Sequence, residues 1–260
     1  MSTQAPERPQ PALATTDRFA VAWQHPVSRR IAAVGFLTRG PGGYAFAYLR
    51  RATEVVDFQP FLGFPELGRC YESETLFDLF AQRIMRSSRP DYGRFLQALG
   101  LDPDSARWAV LGRSQGQREG DGIRLFPEPL VTSAGETGST FFVSGLRHRM
   151  AADPAVGAAL DALRLGDRLD LRDDRSNRED SRALLVEQQS GVTIAWIPSL
   201  LLDWVHVLRD YGPVDVLVAG RNGADVPPGY RLLVTLAGHV APGYEPFSGP
   251  DWATVRNDKG

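Results

Sequence analysis

The chain has 260 residues, with 31 Asp and Glu against 29 Lys and Arg, a formal charge of −2, and a composition 43% hydrophobic and 23% charged. These values fit one or two globular domains with real cores and exclude a uniformly basic nucleic-acid glue; the single cysteine, Cys70, excludes a disulfide framework and a Cys-built zinc site. One skew stands out: Lys259 is the lone lysine among the 29 basic residues, a bias that reads either as composition or as phosphate chemistry.

Residues 1–17, rich in Pro, Gln, Ala and Thr, read as a disordered leader without an apolar signal core. An α+β N-terminal domain is expected over 18–115. In it RFAVAWQ, RRIAAVGFLTR and YAFAYLR read as strands, the last two joined by a Pro/Gly turn. FQPFLGFPEL is an irregular apolar link. Ser73 is then a candidate N-cap for a helix across SETLFDLFAQRIMRS, where Leu76, Phe77, Phe80 and Ile84 recur at helical spacing. RPDYGRFLQALGLD reads as a second helix closed by Gly100. The Gly-, Gln- and Arg-rich stretch from Gly112 to Gly122 opens a connector (116–138) that holds a possible first strand.

Beyond it, short strands dominate: IRLFPEPLV, STFFVSGLRH, DRLDLRDD, RALLVEQQ, TIAWIP, VDVLVAG and RLLVTLAG. Two helix-like pieces interrupt them, PAVGAALDALRLG and the amphipathic SLLLDWVHVLRDYG. Seven strands with two inserted helices predict an OB-like β-barrel over 139–248, closed to avoid exposed edges, followed by a tail at 249–260. No apolar run reaches the roughly 18–20 residues that span a bilayer, and a cytoplasmic protein is expected.

Catalytic signals are sparse. His25, His148, His206 and His239 show no metal-ligand spacing, and there is no GxSxG, P-loop or strand-linked GxGxxG. Neither catalytic residues, nor a metal, nor a cofactor is expected. Cys70 has no local base partner and reads as a structural thiol. Asp167, Asp170, Asp173, Asp174 and Asp180 alternate with Arg164, Arg168, Arg172, Arg175 and Arg178, the pattern of solvated ion pairs. Asn177 and Asp180 are the residue types that fix a turn by bonding back to main-chain N–H groups, which is their simplest role. Arg147 has no evident structural need and is expected at the surface.

The stretch from Phe141 to Pro198 resembles the HIRAN domain, a module of certain SNF-type helicases and of stand-alone bacterial proteins. The residues that carry the resemblance are F-x-V-x-G-L-R (Phe141 to Arg147), G-D-x-L-x-L (Gly166 to Leu171), D-x-x-N-x-x-D-x-x-A-x-x-V (Asp174 to Val186) and G-x-x-I-A-W-I-P (Gly191 to Pro198). The resemblance implies a compact OB-like barrel that, in the helicase members, holds the 3′ end of single-stranded DNA. By position it assigns Arg147 to a phosphate, Asp180 to the terminal 3′-hydroxyl, Asn177 to the same pocket and Trp196 to its wall as a stacking surface. His148 and Arg149 stand where the family has aromatics, His148 remaining a pocket candidate, and Glu179 replaces an aromatic before Asp180. In the N-terminal half, YAFAYLRR, FLGFPEL and LFDLFAQRIM resemble the N-terminal subdomain of HipA-type toxin kinases, without the kinase core. That resemblance implies a scaffold for partner contact.

These readings point to a non-enzymatic protein whose partner is nucleic acid, a single strand or a DNA end, with a protein partner such as a helicase as a further expectation. The rivals are a protein-interaction adaptor that keeps the barrel without DNA binding, and an accessory subunit of a helicase or other hydrolase acting on acid anhydrides. A nuclease would have to gather Asp173, Asp174 and Asp180 around Mg²⁺. Over residues 139–240 there are 11 Arg against 13 acidic residues, a balance that favours the adaptor.

Overall fold

The computed structural model describes residues 16–118 and 120–255 of the chain. The disordered-leader expectation for residues 1–15 and the last five residues of the tail lie outside them. Thr16 and Asp17, also assigned to the leader, belong to the fold: the Trp108 indole donates to the Thr16 carbonyl at 2.7 Å, and Asp17 pairs with Arg39 at 2.6 Å.

The alternating stretches form β1 (Arg18–Gln24), β2 (Ile31–Gly40) and β3 (Gly43–Tyr48), and β4 (Cys70–Ser73) adds to the edge. Alternation, with a register shift between β1 and β2 at Val21 and Ala22, leaves one face mostly small, with Ala20, Ala22 and Ala33 beside Phe36, and the other large, with Phe19, Val21, Val34 and Leu37. The irregular 58–67 link packs its phenylalanines on the large face, where the Tyr48 hydroxyl takes the Phe61 N–H at 2.7 Å and donates to the Phe64 carbonyl at 3.0 Å.

Three helices follow: α1 (Asp78–Ala81), α2 (Tyr92–Ala98) and α3 (Arg107–Arg113). The helix expected across SETLFDLFAQRIMRS shrinks to the four residues of α1. Ser73 does not cap it; Ser73 ends β4, paired with Tyr44, and its hydroxyl accepts the Thr75 N–H at 3.2 Å. Phe80 and Ile84 are buried as their spacing demanded, but one turn suffices for that, and the Arg83 guanidinium then ties the chain to Asp121. Gly100 closes α2 with φ +63°. The helix α3 carries Trp108, stacked on Phe19 at 4.1 Å.

The connector splits at its prolines. Strand β5 (Ile123–Pro127) pairs with β1 and completes a five-stranded antiparallel sheet ordered β4-β3-β2-β1-β5. Strand β6 (Leu130–Val131) instead pairs with β7 (Glu136–Phe142). After β7 come α4 (Leu146–Ala152), α5 (Ala155–Ala162), β8 (Leu169–Asp173), β9 (Leu184–Gln188), β10 (Thr193–Trp196), α6 (Leu202–Tyr211), β11 (Asp215–Arg221) and β12 (Leu232–His239). The C-terminal half therefore has three inserted helices, α4 being the unexpected one.

The protein is α+β with antiparallel sheets, and its described strands form no closed barrel. They form a three-stranded sheet, β10-β9-β8, and a four-stranded one, β11-β12-β7-β6. The two meet at single bridges, Ser144 with Trp196 and Arg168 with Leu217. A continuous ladder stops there because the chain turns into α4 directly after Ser144, and because a tight turn at Gly166 and Asp167 precedes β8.

The interior follows from this topology. The small face of β1 and β2 shares one core with Val156, Leu160, Trp204, Leu208 and Val234 of the C-terminal half. Trp204, 1% exposed, anchors α6 there and donates to Thr137 Oγ1 at 3.1 Å. The chain end returns to the N-terminal sheet: Thr254 bridges Leu49, and Trp252 stacks on Phe247 and Phe36 at 4.5 and 5.7 Å.

Candidate nucleic-acid interface

The site begins at a backbone event. Gly145 has φ +72°, in the left-handed region that glycine enters without penalty, and it turns β7 into α4. A Cβ at Gly145 would stand 2.5 Å from Cε3 of Trp196, so the bare glycine also makes room for the indole. Ser144 and Trp196 exchange both main-chain hydrogen bonds, at 2.8 and 2.9 Å, which fixes the indole beneath the start of α4.

Three groups hold the Trp196 ring. Its Nε1 donates to Asp174 Oδ2 at 2.8 Å, the His148 ring centroid lies 6.1 Å away, and the Arg149 guanidinium sits 5.7 Å from the ring centroid. Arg149 is itself fixed, its Nε and Nη2 donating to the Thr193 carbonyl at 3.3 and 3.1 Å. Trp196 is half-buried, while His148 and Arg147 are exposed on the first turn of α4. Arg147 makes no side-chain hydrogen bond or ion pair among the described residues. The sequence placed Arg147, His148 and Arg149 on a turn after a strand ending at Gly145; the structure ends the strand at Phe142 and puts all three on a helix.

Asp174 organises the other side. Its buried carboxylate accepts the Trp196 indole, the Ser176 hydroxyl at 2.8 Å and the Asn177 amide at 3.3 Å. Burial pushes its pKa up, but the hydrogen bonds from Trp196, Ser176 and Asn177 outweigh it and hold the carboxyl below the ordinary Asp value. Asn177 Oδ1 takes the N–H groups of Glu179 and Asp180 at 3.0 and 3.1 Å, and Asp180 Oδ1 takes the N–H of Arg182 at 2.8 Å. Both residues thus do the turn-fixing work their type suggests.

The predicted residues fall into two groups. Trp196 and Asn177 bond to Asp174, and His148 lies beside the Trp196 ring, with Arg147 on the same helical turn as His148. Asp180 lines a separate cleft of about 430 Å³ beside Ala33, Arg51, Ser199 and Trp252. Glu179 points outward into an exposed ion pair with Arg30 at 2.8 Å.

The three carboxylates that a nuclease would need have different partners. The hydrogen bond from Arg209, at 2.6 Å, holds the Asp173 carboxyl below its ordinary range, Asp174 serves the Trp196 network, and Asp180 serves its own turn. No cluster of three or more His, Cys, Asp or Glu suited to a metal occurs among the described residues. Sequence reasoning left Arg149 and Asp174 out of the site. The D-x-S-N spacing of the 174–177 turn was the available signal for Asp174; for Arg149, only the helical geometry of α4 reveals the contact. Among the described residues no helix is long and apolar enough to cross a membrane.

No protein family and no curated protein matches the sequence. Two solved structures are similar in part. One is a crystal structure of a protein from Lactobacillus plantarum, at 21% identity over 40% of this chain and 97% of that one, with a TM-score of 0.31. The other is the crystal structure of the HIRAN domain of human HLTF, at 15% identity over 41% of this chain and 82% of that one, with a TM-score of 0.30.

Proposed function

We propose that the C-terminal half binds single-stranded nucleic acid across the face made by α4 and β10, with a strand end as its preferred target. The observation that carries this reading is Arg147: an exposed guanidinium without a partner among the described residues, one position from His148 at the Trp196 wall, where the HIRAN resemblance assigns a phosphate contact. In this reading Arg147 grips phosphate through its planar fork, and Trp196 and His148 present ring surface to a base. The fixed Arg149 and Asp174 keep that wall in place before ligand arrives. Asp180 faces the other cleft, so in this reading the strand end runs over the 174–180 turn to reach it, one carboxylate oxygen being committed to the Arg182 N–H and the other open to a terminal hydroxyl. The reading takes the two C-terminal sheets, joined at both seams by single bridges, as a barrel-like HIRAN module, and the N-terminal part as a HipA-like scaffold for partner contact. A cytoplasmic protein of repair, defence or regulation fits it.

Fluorescence anisotropy with labelled single strands, carrying a free or a blocked 3′-hydroxyl, tests the proposal. Tighter binding of the free end is expected. Arg147→Ala should weaken binding roughly fivefold, about 1 kcal/mol, and lower the salt slope by about 0.7, the share of one phosphate contact on a single strand. Equal binding of both strands would remove the end-recognition part. The balance of 11 Arg against 13 acidic residues over 139–240 favours a second reading, a protein-interaction adaptor. It predicts no salt-dependent DNA binding.

A further inference from the structure

A groove of about 1140 Å³ lies in the N-terminal half, and none of its lining residues belongs to α4 or β10. The chain after α1 and the helices α2 and α3 wall it, and the 227–230 turn closes one side. Five arginines line it, Arg83, Arg86, Arg89, Arg107 and Arg118, and among the described residues no Asp or Glu does. The local sequence explains the excess: residues 78–118 hold seven Arg against four Asp and no Glu, in a chain whose net charge is −2.

The arginines divide by role. Arg83 is structural: its side chain is 2% exposed, Asp121 holds it with two hydrogen bonds of 3.0 and 2.6 Å, and its Nε is the one buried side-chain donor without a partner among the described residues. Arg89 pairs with Asp91 at 2.8 Å. Arg86 and Arg107 are exposed and have neither a side-chain hydrogen bond nor an ion pair among the described residues. Outside the groove Arg18, Arg39, Arg168, Arg172, Arg182 and Arg209 each meet a carboxylate.

Guanidinium groups gathered in a concave wall repel one another, and an anion relieves that repulsion. A cleft of one sign also focuses its field on an approaching ligand. The volume exceeds the roughly 300–1,000 Å³ of sites that enclose a small molecule, which favours an extended ligand lying along the groove. Phe95, half-buried in the lining, adds an apolar surface beside the cations. Cations that fork onto phosphate next to an aromatic face are the two elements of single-strand binding.

We infer that this groove holds the phosphate backbone of a single-stranded nucleic acid and forms a second contact surface, independent of the α4 and β10 face. The inference rests on the nucleic-acid reading above. Full-length protein is titrated with labelled oligothymidylate across roughly 0.05–0.3 M salt, as wild type, as the double variant Arg86→Gln/Arg107→Gln, and as Arg147→Ala. Thermal melting checks that the double variant stays folded; both side chains are exposed, and no change is expected. The double variant should bind about tenfold more weakly, with the slope of log K against log salt reduced by about 1.4, two single-strand phosphate contacts. Unchanged affinity and slope overturn the inference; loss in Arg147→Ala alone does so while leaving the α4 and β10 reading intact. Loss in the double variant with Arg147→Ala unaffected supports the groove and removes that other reading. Inorganic tripolyphosphate is the control ligand. If it binds through Arg86 and Arg107 while oligothymidylate does not bind, the groove is a small-polyanion site and the inference fails.

Discussion

At Gly145 one missing side chain serves two purposes, the left-handed turn into α4 and the space for Trp196. Gly145→Ala combines backbone strain with a 2.5 Å approach to the indole, and should cost about 2 kcal/mol or more. Urea denaturation at constant m-value measures it; a loss under about half a kcal/mol would show that the indole has room to move. Asp174 makes the second residue-scale prediction. Its folded pKa lies below the unfolded value, so its contribution to stability is present above the ordinary Asp range and is lost as pH falls through the folded pKa. Asp174→Asn should therefore destabilise the protein by about 1–3 kcal/mol at neutral pH. The gap to wild type should narrow as pH drops from about 5 towards about 3. A gap that stays constant over that range would mean the charge on Asp174 contributes nothing. Sequence foresaw the turn-forming Asn177 and Asp180. It could not see Arg149 against the indole, because that contact depends on how α4 lies over β10.

Elements were legible where their periodicity was long and went astray where a tertiary contact cut them short. Strands β1 to β3, helix α2 with its Gly100 stop, and α5 and α6 follow from pattern alone. Helix α1 does not: helical spacing continues to Ile84, yet Ser73 is taken by β4 and Arg83 is drawn to Asp121. That ion pair gives the prediction at this scale. Asp121→Ala leaves a buried guanidinium without its carboxylate and should cost about 2 kcal/mol or more, read from thermal or urea unfolding. The double variant Arg83→Met/Asp121→Ala removes both charges and should recover part of the loss; no recovery would mean that Arg83 matters through packing alone. Strand β5 was assigned to a connector, and nothing in IRLFP specifies its partner; β1 captures it because its other edge is already taken by β2.

For the whole molecule the consequence is a shared interior. The small face of β1 and β2 packs into the same core as α5, α6 and β12, β5 crosses into the N-terminal sheet, and the 250–255 segment returns to β3. Full-length protein should accordingly unfold in one cooperative transition, with calorimetric and van't Hoff enthalpies in agreement; two separated transitions would show halves that are stable independently. The arginine skew also resolves at this scale. Some arginines meet carboxylates, though not by their alternation along the chain, since Arg168 and Arg172 reach Asp215 and Glu187, while the groove beside α2 and α3 collects cations with no described Asp or Glu in its lining.

The sequence by itself determined the α+β class, the strands and helices with clean periodicity, the turn chemistry of 174–180 and the exposure of Arg147. Those are local properties, set by the spacing of apolar residues and by side chains that bond to their own backbone. Tertiary structure alone decided that the C-terminal strands make two bridged sheets, that Asp180 faces a different cleft from Trp196, and that arginines distant in sequence share one groove. Each depends on which surfaces pack together, and packing joins residues whose separation along the chain carries no periodic signal.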